Sequence, residues 1–153
     1  MGRYTLVRDI EASPERVFAA FVEPALVVDW MDAREIRDAT GPLDVAGSRF
    51  TLVIRGPWKF RAEVLDVQRS IRHESAGRGP LGSSYHNTAV LTPRDDGTHL
   101  ELTTLYDWPL GPIGRLIDRH WMERRPRTIA NRELDRLVAL VSQPAASPDA
   151  GVG

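Results

Sequence analysis

The last long stretch of this chain, Pro112 to Gln143, limits the possible folds more than any other part of it. Gly111-Pro112 opens a helix, because proline at the first helical position gives up only a hydrogen bond that position never makes. Ile113, Leu116 and Ile117, then Leu134, Leu137, Val138 and Val141, recur at three-to-four-residue spacing, the period of an amphipathic helix. Gln143-Pro144 ends it. At ~1.5 Å per residue such a helix would reach roughly 45 Å if straight. A rod with one apolar stripe of that length needs a wide apolar surface to lie on, and the preceding residues have to supply it.

Two features interrupt the stripe. Continued at about 100° per residue, the face carrying Ile117 and Leu134 passes through His120, Arg124, Arg127 and Asn131. Pro126 lies inside the stretch, where it removes a backbone bond and crowds the preceding turn, so a kink or break is expected there. Either Pro126 splits the element and the polar residues turn to solvent, or they face a cavity.

Upstream, Tyr4 to Ile10 alternates as a strand. Ser13-Pro14-Glu15 then starts a helix, with a capping hydroxyl, a proline at the first position and an acid near the positive end of the dipole. Val17, Phe18, Phe21 and Val22 form its apolar side. Pro24 starts a second short helix that offers Leu26, Val27 and Trp30 for burial.

From there the period falls to two. Arg34 to Asp38 is a charged edge strand. Phe50, Leu52 and Ile54 alternate with Arg49, Thr51 and Arg55, and after Gly56-Pro57 the residues Trp58, Phe60, Ala62 and Val64 alternate with Lys59, Arg61 and Glu63. Ile71, His73 and Ser75 form the inner side of the next strand, and Gly77 to Gly82 reads as a loop. Tyr85 to Thr92 and His99 to Trp108 pair around Asp95-Asp96-Gly97-Thr98, a turn signal. The order is strand, two helices, six strands, long helix. Hairpin-length connections make the sheet antiparallel, and strand twist curls it. The class is α+β: a seven-stranded curved antiparallel sheet wrapped on a long C-terminal helix, with two short helices after the first strand. Residues 1–143 form one domain, and residues 144–153 (Pro, Ala, Ser, Gly) read as a flexible tail.

Composition narrows the function classes. Charge is balanced, with Lys+Arg 20 against Asp+Glu 21, which argues against general affinity for nucleic acid or anionic membrane. No cysteine is present, so there is no disulfide, thiolate metal site or cysteine nucleophile. No apolar run approaches membrane-spanning length and the N-terminus lacks a signal-peptide layout, so a cytoplasmic protein is expected. His73, His86, His99 and His120 have no zinc-motif spacing, and Ser83-Ser84 lacks the Gly-x-Ser-x-Gly context of a serine hydrolase. Neither a metal nor a cofactor is expected.

Ile10-Glu11-Ala12-Ser13-Pro14-Glu15-Arg16-Val17-Phe18, followed by Trp30 after a second proline-led helix, resembles the opening of the helix-grip superfamily. That superfamily includes START-domain lipid carriers, birch-pollen-allergen-like proteins and polyketide cyclase/dehydrase-like proteins. The Gly97 to Leu102 hairpin and the Pro109 to Leu116 lead-in to the last helix are also similar to it. The resemblance covers roughly residues 3 to 142. It implies a cavity between concave sheet and last helix that holds a hydrophobic small molecule, but its opening motif caps and packs a helix and names no ligand.

Alternation assigns the walls of such a cavity. Phe50, Leu52, Ile54, Trp58, Phe60, Val64, Leu100 and Leu102 supply apolar lining from the sheet, and Ile117 supplies it from the helix. Tyr85 and Asn87 face inward if Ala89 and Leu91 do; the opposite parity substitutes His86, Thr88 and Val90. Tyr106 and Thr104 share a face with Leu100 and Leu102. His73, Asn87, His120 and Arg124 complete the polar candidates. Tyr85, His73 and His120 are the groups able to pass protons, and Arg124 is placed to neutralise a carboxylate or enolate. Each has a plainer reading: a buried tyrosine bonded to backbone, a satisfied core histidine, a solvated arginine.

Three functions fit. The first is a protein that binds a hydrophobic, lipid-like or polyketide-like molecule. The second is a polyketide cyclase, aromatase or dehydratase that uses the same cavity and acts by proximity and acid–base chemistry without metal. The third is a cochaperone-like module whose cavity is filled and whose surface docks a partner. An exposed apolar edge leaves room for a homodimer.

Overall fold

The computed structural model describes residues 2–54, 58–107 and 124–142, the last with backbone alone for 124–126. β1 (Gly2–Ile10) is followed by α1 (Pro14–Val22) and α2 (Pro24–Trp30). Then come β2 (Glu35–Arg37), β3 (Arg49–Val53), β4 (Lys59–Gln68), β5 (Arg72–Arg78), β6 (Ser84–Arg94) and β7 (Gly97–Asp107), and finally α3 (Arg124–Ser142). The strands form one seven-stranded sheet in the order β1-β7-β6-β5-β4-β3-β2. Every pairing is antiparallel. This is the expected α+β helix-grip architecture: a curved sheet with its helices on one face.

Local chemistry starts the two short helices where the sequence predicts. The Ser13 hydroxyl accepts a hydrogen bond from the Arg16 N–H at 3.3 Å, and Pro14 is the first residue of α1. α1 buries Val17, Phe18, Ala20 and Phe21 against β5, β6 and β7. Trp30 closes α2, and its indole N–H donates to the Ala20 carbonyl at 2.6 Å, tying the two short helices together. Asp95-Asp96 turns β6 into β7, with Arg94 opposite Gly97.

α3 presents Ala130, Leu134, Leu137 and Val141 to the main core beside Leu6, Ile10, Phe18, Leu91 and Leu100. Each leucine so buried contributes about 1.5–3 kcal/mol. A second cluster, Val27, Leu43, Phe50, Leu52, Ala62 and Val64, fills the β3–β4 side.

The structure corrects two expectations and adds a bulge. β5 continues through Gly77 to Arg78, so the loop is shorter than Gly77 to Gly82, and it holds a 3₁₀ turn at Pro80–Gly82. Ile71 lies before β5 and is 52% exposed, leaving His73 and Ser75 as the inward residues. Helical backbone is described from Arg124 onward through Pro126, and the preceding turn, where the expected kink or break would act, lies outside the described residues. Alternation along β4 ends at Val64. Val64 opposes Ser75 and Asp66 opposes Glu74, so Leu65 is an extra residue, a β-bulge. The bulge lets both Val64 and Val67 face inward and turns Leu65 out to 43% exposure.

The first part of the expected long helix, with Ile117 and His120, lies outside the described residues, as does the tail. None of the described helices is long and apolar enough to cross a membrane.

Candidate functional site

The inner face of the sheet is organised in three rows that run across the strands. In the first, Gly2, Tyr106, Tyr85, Gly77, Ala62 and Phe50 stand opposite one another in register. The two tyrosine rings spread over the glycines: a Cβ on Gly77 would stand 2.4 Å from the Tyr85 ring, and one on Gly2 would stand 2.1 Å from the Tyr106 ring. Only glycine allows that approach. Tyr4 tilts against Tyr106 at 6.0 Å between ring centres, and Phe60 meets Tyr85 edge-on at 5.7 Å.

The second row is polar: Tyr4, Thr104, Asn87 and Ser75, ending at Val64. The Thr104 hydroxyl donates to Asn87 Oδ1 at 2.7 Å and is also a hydrogen-bond partner of Tyr4. Burial pushes the Tyr4 hydroxyl above its ordinary range; the Thr104 bond opposes the rise, while the charges of Glu133 and Tyr106 add to it. Burial also pushes Tyr85 up, and its hydroxyl makes no hydrogen bond among the described residues.

The third row, Leu6, Leu102, Ala89, His73 and Val67, is apolar apart from the histidine. His73 Nε2 lies 3.0 Å from the Leu43 carbonyl, so that nitrogen carries the proton and donates it. The ring stacks on Phe21 and meets Phe18 edge-on, each at 6.3 Å. Burial holds its pKa below the usual histidine value, against the raising effect of the Leu43 bond and the Asp44 charge. His73 is therefore a neutral, satisfied core histidine.

Of the two strand parities, the one with Tyr85 and Asn87 inward holds. His86 points out, where its Nε2 meets Glu74 Oε1 at 2.5 Å. A partly open void of about 40 Å³ remains among Phe21, Trp30, Leu43, Phe50, Leu52, His73, Ser75, Tyr85, Asn87 and Leu102. Phe60 joins this wall through its contact with Tyr85. Trp58 stands outside it and is 38% exposed. The larger hollow, about 610 Å³, is an open trough on the opposite face of the sheet. Outward-facing residues such as Arg61, Arg78, Glu63 and His86 make most of its walls, and Phe50, Tyr85 and Tyr106 of the first row also reach it.

From α3, Arg127 is exposed. Asn131 turns toward β1 and accepts a hydrogen bond from Arg8 Nη2 at 2.8 Å, with Asp135 at 3.3 Å from the same nitrogen. For Arg124 only the backbone is described. The helix brings a residue that the stripe reading missed. Glu133 lies one turn from the buried Ala130 and Leu137, and burial pushes its carboxyl up to about 8, with Arg136 opposing and Asp32 adding. Its spacing from Leu137 was the available signal. Tyr4, at the head of an alternating strand, was another. No group of three or more His, Asp or Glu able to hold a metal exists among the described residues.

Several solved structures share this fold. The MLL2253 protein of Mesorhizobium loti is 18% identical, with a TM-score of 0.75 over 94% of this chain and 99% of that one. The CV1439 protein of Chromobacterium violaceum is also 18% identical, with a TM-score of 0.73 over 94% and 100%. DynU16, a protein in the dynemicin biosynthetic locus, is 16% identical, with a TM-score of 0.58 over 89% of this chain and 49% of its own. At these identities the likeness is one of fold. No curated protein matches the chain. A family model described as polyketide cyclase / dehydrase and lipid transport matches residues 1–142. With nearly the whole domain inside that match, the chain belongs to the polyketide cyclase / dehydrase and lipid transport family.

Proposed function

We propose that the protein binds a hydrophobic small molecule between the inner face of the sheet and the C-terminal helix. One observation carries this reading: the inner face is unevenly filled. Toward Ile10, Leu91 and Leu100 it is packed shut, whereas Tyr4, Phe60, Tyr85 and Tyr106 at the other end are only partly buried. A void of about 40 Å³ has room for a water or so, far below the roughly 300 Å³ that a drug-sized ligand occupies. On this reading the ligand lies over the aromatic end, with the polar row of Tyr4, Thr104 and Asn87 beside it. Apolar walls with a few convergent polar groups suit a lipid-like or polyketide-like molecule.

The unpartnered Tyr85 hydroxyl favours a second reading, a cyclase- or dehydratase-type enzyme in which this group donates a proton. Binding without turnover is the better supported of the two, because His73 has already committed its proton to the Leu43 carbonyl. Native mass spectrometry of protein purified from its own host tests the proposal, with a retained apolar molecule expected. An empty protein that also fails to enhance the fluorescence of N-phenyl-1-naphthylamine would sink it.

A further inference from the structure

On the outer face of the sheet, four strands set a row of hydrogen-bond donors side by side. Thr51 of β3 stands opposite Arg61 of β4, Arg61 opposite Arg78 of β5, and Arg78 opposite Ser84 of β6. All four line the open trough of about 610 Å³, a volume that suits a small organic ligand. Two arginines directly across a strand pair have Cβ atoms about 5 Å apart, and like charges so placed repel. Neither guanidinium makes a hydrogen bond or an ion pair among the described residues. The carboxylates along the same trough are occupied elsewhere. Arg49 holds Glu63 at 3.5 Å, Arg37 lies 4.0 Å from Asp38, and Asp107 has a partner of its own.

We infer that the Arg61–Arg78 pair is a binding site for a phosphate monoester, with Thr51 and Ser84 as flanking hydroxyl donors. A guanidinium is charged at neutral pH, and its planar fork matches phosphate oxygens two at a time. Two forks supply two positive charges, which suits a nearly dianionic phosphate better than a singly charged carboxylate. Leu65 and Leu105, 43% and 38% exposed, line the same trough, so the ester carries an apolar or aromatic body. Leu65 reaches this face because the β4 bulge turns it out. His86 borders the trough as well, with its Nε2 taken up by Glu74. The site lies on the side of the sheet away from the helices, so it is independent of what the interior binds.

Calorimetric titration in phosphate-free, low-salt buffer tests the site with phenyl phosphate against benzoate. Wild type should bind phenyl phosphate at least about tenfold more tightly than benzoate. Arg61→Gln and Arg78→Gln should each weaken phenyl phosphate about tenfold, the loss of one charge-assisted contact. Arg132→Gln removes the same charge from an exposed position on α3, outside the trough, and should change nothing. Both trough variants should fold, because each relieves the like-charge opposition, and without ligand their unfolding midpoints should equal or exceed that of wild type. Vesicles decide the source of the phosphate. Phosphatidylcholine vesicles containing phosphatidic acid should retain wild type and not Arg61→Gln if a lipid headgroup supplies it, and retain neither if a soluble ester does. The proposal is overturned if wild type does not bind phenyl phosphate, if benzoate binds equally, or if Arg132→Gln weakens binding as much as the trough variants do.

Discussion

The ring of Tyr85 occupies, over Gly77 on the neighbouring strand, the space a side chain at 77 would fill. Glycine weakens a strand by its freedom when unfolded, yet here it creates the seat for an aromatic wall. Gly77→Ala should force the Tyr85 ring away and destabilise the fold by about 1–3 kcal/mol, read as a lowered midpoint of urea unfolding. In a Tyr85→Ala background the same change should cost much less, because the two residues act as one unit. Equal costs in both backgrounds would refute the contact.

Trp30 closes α2 on the last turn of α1 by donating its indole N–H to the Ala20 carbonyl. Trp30→Phe keeps most of the apolar surface and leaves that buried carbonyl without its donor. The expected loss is about 1–3 kcal/mol, measured by thermal or chemical unfolding. A neutral change would mean that water replaces the indole.

Glu133 should make stability fall as pH rises. Its folded pKa, about 8, lies above the ordinary carboxylate value, so the folded state binds the extra proton. The advantage of the protonated form is complete below the unfolded value near 4.3 and declines until about 8, by up to about 1.4 kcal/mol per pH unit. Glu133→Gln should match wild type near pH 4 and exceed it at pH 8, in paired unfolding curves at the two values.

His73 works in the opposite direction. Its folded pKa is depressed, so its contribution is fully present above the unfolded value near 6.5 and is lost as pH falls below it. His73→Leu forfeits the bond to Leu43 and should cost about 1–3 kcal/mol at pH 7.5. The gap between variant and wild type should narrow by pH 5. A gap independent of pH would show that His73 does not titrate in this window.

Arg8 fastens α3 to the edge strand through Asn131 and Asp135. Part of this contact is exposed, so Arg8→Ala should cost only about 1 kcal/mol in global stability. Local opening is the more sensitive readout: amide exchange should quicken along α3 while β4 to β6 keep their protection. Uniform acceleration across the sheet would contradict a fastening role.

Most of the architecture is legible in the sequence because it rests on local chemistry. The Ser13-Pro14 cap, the two-residue period of β3, β6 and β7, and the Asp95-Asp96 turn are each decided by residues close in the chain. What stays hidden depends on distant partners. Nothing near His73 announces that its proton goes to Leu43, thirty residues earlier. Gly77 to Gly82 reads as a loop because glycines suggest turns, and only Tyr85 across the strand explains a glycine inside β5. Glu133 escapes a stripe drawn through Leu134 because it stands on the flank of that stripe, where only the folded surroundings decide how far a side chain is buried.

Leu65 is surplus to the pairing of β4 with β5, so a chain lacking it would still point Val64 and Val67 to the same side. Such a deletion would take out a bend and leave the choice of wall residues untouched. Curvature of the sheet and the identity of its inner residues are thus set by separate positions, and one codon suffices to change the first while the second stays the same.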